Sequence, residues 1–131
     1  MENAQAARKH IFVINGAPEF LNLMRDLFQG ERYNVTTTNF VPNSYAQIAA
    51  LQPDVLVIDI VVGHTAGWEL LERLHEEAAT SGIPALVIST SPLLLERAQE
   101  QADRYGGNAY ISKPFDIDEM LDAIEDLIGS A

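Results

Sequence analysis

Three polar residues end three largely apolar runs in this chain. Asp59 follows Val55-Leu56-Val57-Ile58, Ser89 follows Ala85-Leu86-Val87-Ile88, and Lys113 follows Ala109-Tyr110-Ile111-Ser112. A carboxylate at the tip of an apolar segment is costly unless it is paired or solvated. A lysine within reach would form an ion pair with it, or neutralise an anion attached to it. Ser89 offers a hydroxyl, and Thr90 a second one beside it. Asp59, Ser89 and Lys113 together make a cradle suited to a phosphoryl group or an oxyanion. With nothing bound, Asp59 and Lys113 are expected to join directly.

Other chemistries are missing from the sequence. There is no Cys, which removes disulfides, thiolate metal sites and Cys nucleophiles. There is no G-x-S-x-G, no P-loop and no G-x-G-x-x-G. His64, in the loop after Asp59, reads as a solvated loop residue, and His10 and His75 sit away from the strand ends. With 8 Lys and Arg against 19 Asp and Glu, the net charge is −11. That balance argues against nucleic-acid binding and against docking on an anionic membrane. No apolar run reaches the ~18 residues a membrane helix needs. Met1 to Lys9 lacks the apolar core of a signal peptide. A soluble cytoplasmic protein is expected, and no motif marks it as an enzyme.

The cradle exists only if the three runs lie side by side. The 131 residues suffice for one core, and 47% of them are hydrophobic. Residues 1–8 read as a flexible tail and 9–129 as one domain. Strands are expected at His10–Ile14, Tyr33–Phe40, Val55–Ile58, Pro84–Ser89 and Ala109–Ser112. Helical spacing of apolar residues runs from Pro18 to a stop at Gly30, and from an Asn43-Ser44 cap to Leu51. It returns from Trp68 to Ala78, from Ser91-Pro92 through Ala102, and from Asp116 to Ile128. Trp68 reads as core. The acids Asp116, Asp118, Glu119, Asp122, Glu125 and Asp126 read as a solvated face of the last helix.

Five apolar strands alternate with five helices. Strands apolar at every position suit a parallel sheet covered on both faces. In such doubly wound sheets ligands sit outside the carboxyl ends of the strands. Asn15-Gly16-Ala17, Asp59 to Val62, Ser89-Thr90 and Lys113 all fall there.

At this point the sequence resembles the response-regulator receiver domains of two-component signalling, over roughly residues 9 to 129. Pro53-Asp54-Val55-Leu56-Val57-Ile58-Asp59, with Gly67 eight residues on, resembles the phospho-acceptor strand and its loop. Ile83-Pro84-Ala85-Leu86-Val87-Ile88-Ser89-Thr90 resembles the strand bearing the switch hydroxyl. Ala109-Tyr110-Ile111-Ser112-Lys113-Pro114-Phe115 resembles the strand bearing the Lys-Pro pair. The resemblance implies a flavodoxin-like (βα)5 doubly wound five-stranded parallel sheet in a single domain. It implies that Asp59 accepts a phosphoryl group, that Lys113 contacts it, and that Ser89 swings to bond it. Tyr110 would turn inward with that switch, and the backbone carbonyl of Val61 would bind a metal. The implied partners are a histidine kinase or phosphotransfer protein and a downstream signalling protein. A homodimer through the fourth helix, fifth strand and fifth helix is also implied, on a face holding Leu94, Arg97, Gln101 and Tyr110.

The first strand departs from the family. Receiver domains usually carry an acidic pair directly after it to hold Mg²⁺; Asn15 and Gly16 stand there, and Ala17 follows. Mg²⁺ prefers carboxylate oxygens and water. Gly16 offers no side chain, and Asn15 is expected to offer only a neutral carbonyl oxygen. At most Asp59, Val61 and Asn15 remain as ligands, so Mg²⁺ is expected to be weak or absent. The expectation is a stand-alone receiver-like module acting by protein contact, with phosphorylation of Asp59 impaired or absent. Two alternatives stand beside it: a working phospho-accepting regulator, and a sensor of small anions or ligands in the vacated corner at Asn15-Gly16.

Overall fold

A computed structural model of the protein describes residues 8–39, 44–61 and 65–129. The elements run β1 (His10–Ile14), α1 (Pro18–Gly30), β2 (Asn34–Thr38), α2 (Ser44–Leu51), β3 (Val55–Asp59) and α3 (Ala66–Glu76). Then follow β4 (Ala85–Ser89), α4 (Pro92–Glu100), α5 (Ala102–Tyr105), β5 (Ala109–Ser112) and α6 (Ile117–Ile128). The expected N-terminal tail, the strand end at Phe40, the cap at Asn43 and the loop position of His64 lie outside the described residues.

The five strands form one parallel sheet in the order β2-β1-β3-β4-β5. Side chains alternate between its faces, so each central strand feeds two cores. Ile11, Val13, Val55, Val57, Leu86 and Ile88 meet Leu21, Met24 and Phe28 of α1 and Met120 and Ile124 of α6. Phe12, Ile14, Leu56, Ile58 and Val87 meet Ile48 of α2, Leu70, Leu71 and Leu74 of α3, and Leu95 and Ala98 of α4. Burial on both faces is why these strands are apolar throughout. It is the expected flavodoxin-like (βα)5 sheet. The chain order reverses between β1 and β3, which opens the crevice where such sheets place their sites.

Local chemistry sets the helix ends. Pro18 and Pro92 open α1 and α4, where a missing N–H costs nothing. The Ser91 hydroxyl caps α4 by accepting from the Leu94 N–H at 3.3 Å. The Thr80 hydroxyl donates to the Leu74 carbonyl at 2.7 Å and so satisfies an orphan acceptor in the last turn of α3.

Two expectations need correction. Gly30 does not stop α1 by adopting a special backbone; it is the last helical residue. The stop is a Schellman arrangement in which the Tyr33 N–H donates to Phe28 O and the Arg32 N–H to Gln29 O, both at 3.0 Å. Arg32 takes the left-handed position, with φ 73°. The fourth helix is not continuous through Ala102. Gln101, at φ −110° and ψ 35°, breaks it into α4 and α5, so there are six helices among the described residues. The break turns Tyr105 onto Trp68, with ring centroids 4.7 Å apart, which partly buries both against the α3 side of the core.

Candidate functional site

The tips of β1, β3 and β5 bring Asn15, Asp59 and Lys113 together. Lys113 donates from Nζ to Asp59 Oδ2 at 3.1 Å, and their side chains are 22% and 11% exposed. The expected direct ion pair is therefore present. Asn15 Nδ2 donates to the same Oδ2 at 3.2 Å. Both donors converge on one carboxylate oxygen, and Oδ1 has no hydrogen-bond partner among the described residues.

The orientation of Asn15 differs from expectation. Its Oδ1 accepts from the Ala17 N–H at 2.8 Å, which closes the turn into α1. The reverse orientation would set the amide NH₂ against an N–H and its oxygen against a carboxylate, so the contacts fix the assignment. Asn15 is 4% exposed and presents N–H to the pocket, not a carbonyl oxygen. Beside it, a Cβ built on Gly16 would meet nothing within 4 Å.

Burial raises the pKa of Asp59 above the ordinary carboxylate value. The charge of Lys113, its hydrogen bond and that of Asn15 oppose the rise without cancelling it. Desolvation outweighs pairing, as is common for a charge at the edge of a core. Lys113 is further confined from the α1 side, its Nζ 4.9 Å from the Phe20 ring centroid, and Phe20 meets Phe115 edge-on at 6.3 Å. The sequence pattern reveals Phe20 only as a core residue. Its position in the first turn of α1, beside the tip of β1, was the available signal.

Ser89 is fully buried, and its hydroxyl is not free. It donates to the Ile60 carbonyl at 2.7 Å and accepts from the Ser91 N–H at 3.0 Å, tying the loop after β3 to the turn after β4. The expected role of swinging toward Asp59 would require both bonds to break. Thr90 and the Val61 side chain are exposed at the same end of the sheet. Gly67 packs on the loop, where an added Cβ would lie 3.1 Å from Ile60 Cδ1.

Tyr110 is a partly buried strand aromatic, as its place in β5 leads one to expect, packed against the core below α4. Its hydroxyl donates to the Gly107 carbonyl at 2.9 Å and lies 3.5 Å from the Ala98 carbonyl. Burial raises its pKa. Leu94 is likewise partly buried against the core. Arg97 and Gln101 are exposed, and Leu93, which sequence spacing does not single out, is the most exposed large apolar residue among the described residues at 75%. His10 and His75 lie away from the pocket, and burial lowers the pKa of His10 against the opposing charge of Asp54. Among the described residues no three His, Cys, Asp or Glu side chains converge to hold a metal, and no helix is long and apolar enough to cross a membrane.

Residues 11–125 match the family model of the response regulator receiver domain. The chain belongs to that family. This receiver domain is 25% identical over 121 residues to the probable transcriptional regulatory protein TcrX of Mycobacterium tuberculosis, covering 92% of the chain and 50% of the relative. It is 23% identical over 124 residues to the polar-differentiation response regulator DivK of Brucella ovis, covering 94% of the chain and 98% of the relative. The chain thus spans half the length of TcrX and nearly all of DivK. Among solved structures, the chemotaxis protein CheY4 of Vibrio cholerae superposes with a TM-score of 0.80 at 17% identity, over 92% of this chain and 99% of that one. The receiver domain of a Pseudomonas aeruginosa sensor histidine kinase superposes at 0.79 with 18% identity, over 95% and 100%. That neighbour was solved with a magnesium ion coordinated in its active site cleft.

Proposed function

We propose that this receiver domain signals through protein–protein contact, with Mg²⁺-dependent phosphorylation of Asp59 weak or absent. The observation that carries the reading is the amide of Asn15, which points its N–H at Asp59 Oδ2. Mg²⁺ is a hard cation that takes oxygen ligands in near-octahedral array. At this corner it would meet an amide N–H and the Lys113 ammonium, with Asp59 the one carboxylate in their contact. The residues present do not fit the ion. Phosphoryl transfer rests on positioning and on neutralising charge on the transferred group. Here that task falls to Lys113 and backbone N–H groups. The partners proposed are a histidine kinase or phosphotransfer protein and a downstream signalling protein. Self-association would use the faces of α4, β5 and α6.

A second reading, a phospho-accepting regulator, is favoured by one observation: among the described residues Oδ1 of Asp59 has no hydrogen-bond partner, which leaves it available to attack a phosphorus centre. No observation favours an anion sensor, because the nearby cation is already paired with Asp59.

The test is incubation with acetyl phosphate, with and without Mg²⁺, followed by intact mass. Wild type, Asp59→Ala and Asn15→Asp/Gly16→Asp run side by side. The expected result is no added phosphoryl group on wild type and one on the double variant in Mg²⁺. A Mg²⁺-dependent phosphoryl group on wild type, lost in Asp59→Ala, would move the conclusion to the second reading.

A further inference from the structure

We propose that a groove at the foot of β1 and β2, at the opposite end of the sheet from Asp59, binds a phosphate-bearing ligand of nucleotide size through Arg8. This goes beyond the reading above and holds whether or not Asp59 accepts a phosphoryl group.

The groove offers about 580 Å³, and its lining includes Arg8, His10, Gln29, Asn34 and Thr36 but no acid. That volume lies in the range of small-molecule sites. Arg8 is the anomaly. The chain holds 19 acids, yet among the described residues the partly buried Arg8 guanidinium makes no ion pair and no hydrogen bond. Other cations are committed: Lys113 to Asp59, Arg104 to Glu72, Arg25 to the Thr37 hydroxyl and Arg73 to the face of Tyr45. A guanidinium presents its N–H donors as a planar fork that matches paired phosphate oxygens.

The neighbours of Arg8 add donors. His10 Nε2 bonds the Thr36 hydroxyl at 2.7 Å, which holds the ring and leaves Nδ1 without a partner among the described residues. The Gln29 side chain stands exposed at the same place. β2 is an edge strand. Its Asn34 N–H donates to Lys9 O at 2.9 Å, so by alternation Val35, which also lines the groove, turns its N–H to the open edge.

The nearby negative groups are turned away or occupied. Carbonyls at the end of α1 are taken: Leu27 O, Gln29 O and Phe28 O accept from the N–H groups of Glu31, Arg32 and Tyr33. Asp54 stands on the β3 side of β1, where its Oδ2 accepts from the His10 N–H at 2.7 Å. The wider charge distribution favours the same end. Residues 8–39 carry four Lys and Arg against three acids, whereas residues 44–129 carry four against fifteen. An anion repelled by most of the surface is steered to the part that does not repel it. The Asp59 corner gives it no equal, because Lys113 is already paired there.

The experiment titrates the whole chain with ADP in low-salt buffer containing EDTA, by calorimetry and by ¹⁵N amide shifts, with adenosine as the uncharged control. The samples are wild type, Arg8→Gln and Arg97→Gln, each checked for folding by thermal melting; Arg97 is an exposed cation of α4. ADP is expected to bind wild type and Arg97→Gln alike, and Arg8→Gln about tenfold or more weakly. Its affinity should fall as salt is raised, and adenosine should not bind. The amide shifts should centre on Val35 and Thr36, not on Ile60 and Lys113. No saturable binding by either readout would overturn the proposal, as would equal affinity in Arg8→Gln or an equal loss in Arg97→Gln. Adenosine binding as tightly as ADP, or shifts centred on Ile60 and Lys113, would do the same. If Arg8→Gln does not fold, the amide shifts of wild type still decide. A Mg²⁺-dependent phosphoryl group on Asp59 would refute the proposed function and leave the groove standing.

Discussion

Replacing Asn15 by Asp tests the electrostatics of the site most directly. Asn15 is buried, and its Nδ2 lies 3.2 Å from Asp59 Oδ2. The substitution keeps the shape and preserves an oxygen for the Ala17 N–H, but sets a second anion at that separation. Coulomb's law with an effective dielectric of about 20 gives about 5 kcal/mol of repulsion at this distance. Lys113, bonded to the same oxygen, and relaxation of the turn offset part of it. A loss of about 2–4 kcal/mol remains, or about 8–15 °C in melting temperature for a domain of this size. The pH dependence has a defined sign. A carboxyl pair sharing a buried site has its pKa raised in the folded state. The folded protein then binds more protons than the unfolded one over the intervening range, so stability falls as pH rises through it. The deficit should be full at neutral pH and fade in acid. Mg²⁺ should also erase it, because a ligand at about 100 times its Kd adds about 2.7 kcal/mol. Melts of wild type and variant, with and without Mg²⁺, across pH, provide the assay. A wild type stabilised by Mg²⁺ as much as the variant would refute the reasoning. So would a variant as stable as wild type in metal-free neutral buffer.

Other perturbations follow from the same contacts. Arg32→Gly should raise stability by about 0.5–1 kcal/mol in urea titration, because Arg32 is exposed and holds the left-handed position that suits glycine. Ser89→Ala should cost about 1–3 kcal/mol, since it leaves the Ile60 carbonyl and the Ser91 N–H without their shared partner; the same titration measures it. Lys113→Met should cost about 1–3 kcal/mol at neutral pH by leaving the Asp59 carboxylate without its cation. Burial already raises the pKa of Asp59, and losing Lys113 raises it further. The deficit should therefore shrink as pH falls and Asp59 takes up a proton; denaturation at two pH values would show it.

The sheet was legible because burial on both faces forces strands that are apolar at every position, and Val55–Ile58 and Ala85–Ile88 meet that demand. The site was legible in its members for the complementary reason. A charged residue at the end of such a strand stands out, and Asp59 and Lys113 do. Its wiring was not legible. An asparagine can turn either its oxygen or its N–H toward a neighbour, and the Ala17 N–H decides between them. Ser89 announces a hydroxyl but not that Ile60 and Ser91 occupy it. Gly30 reads as the stop of α1, yet Arg32 takes the left-handed position, with hydrogen bonds to Phe28 and Gln29 defining the motif. The break at Gln101 accompanies the contact of Tyr105 with Trp68, a contact between residues far apart in sequence.

The open space at Gly16 bears on how this site can change over generations. A side chain added there meets nothing within 4 Å, so an acid can arise at position 16 with little cost to packing. Position 15 is different, because an acid there sits against Asp59 and is penalised until a cation arrives. The two steps are therefore unequal, and their order matters. A lineage that places an acid at 16 first gains a second carboxylate at the edge of the pocket while Asn15 still shields Asp59. The change at 15 then falls on a background better able to hold a cation. The reverse order passes through an unstable intermediate. Between the present corner and one with a full acidic pair, the structure leaves a path with one easy direction of travel.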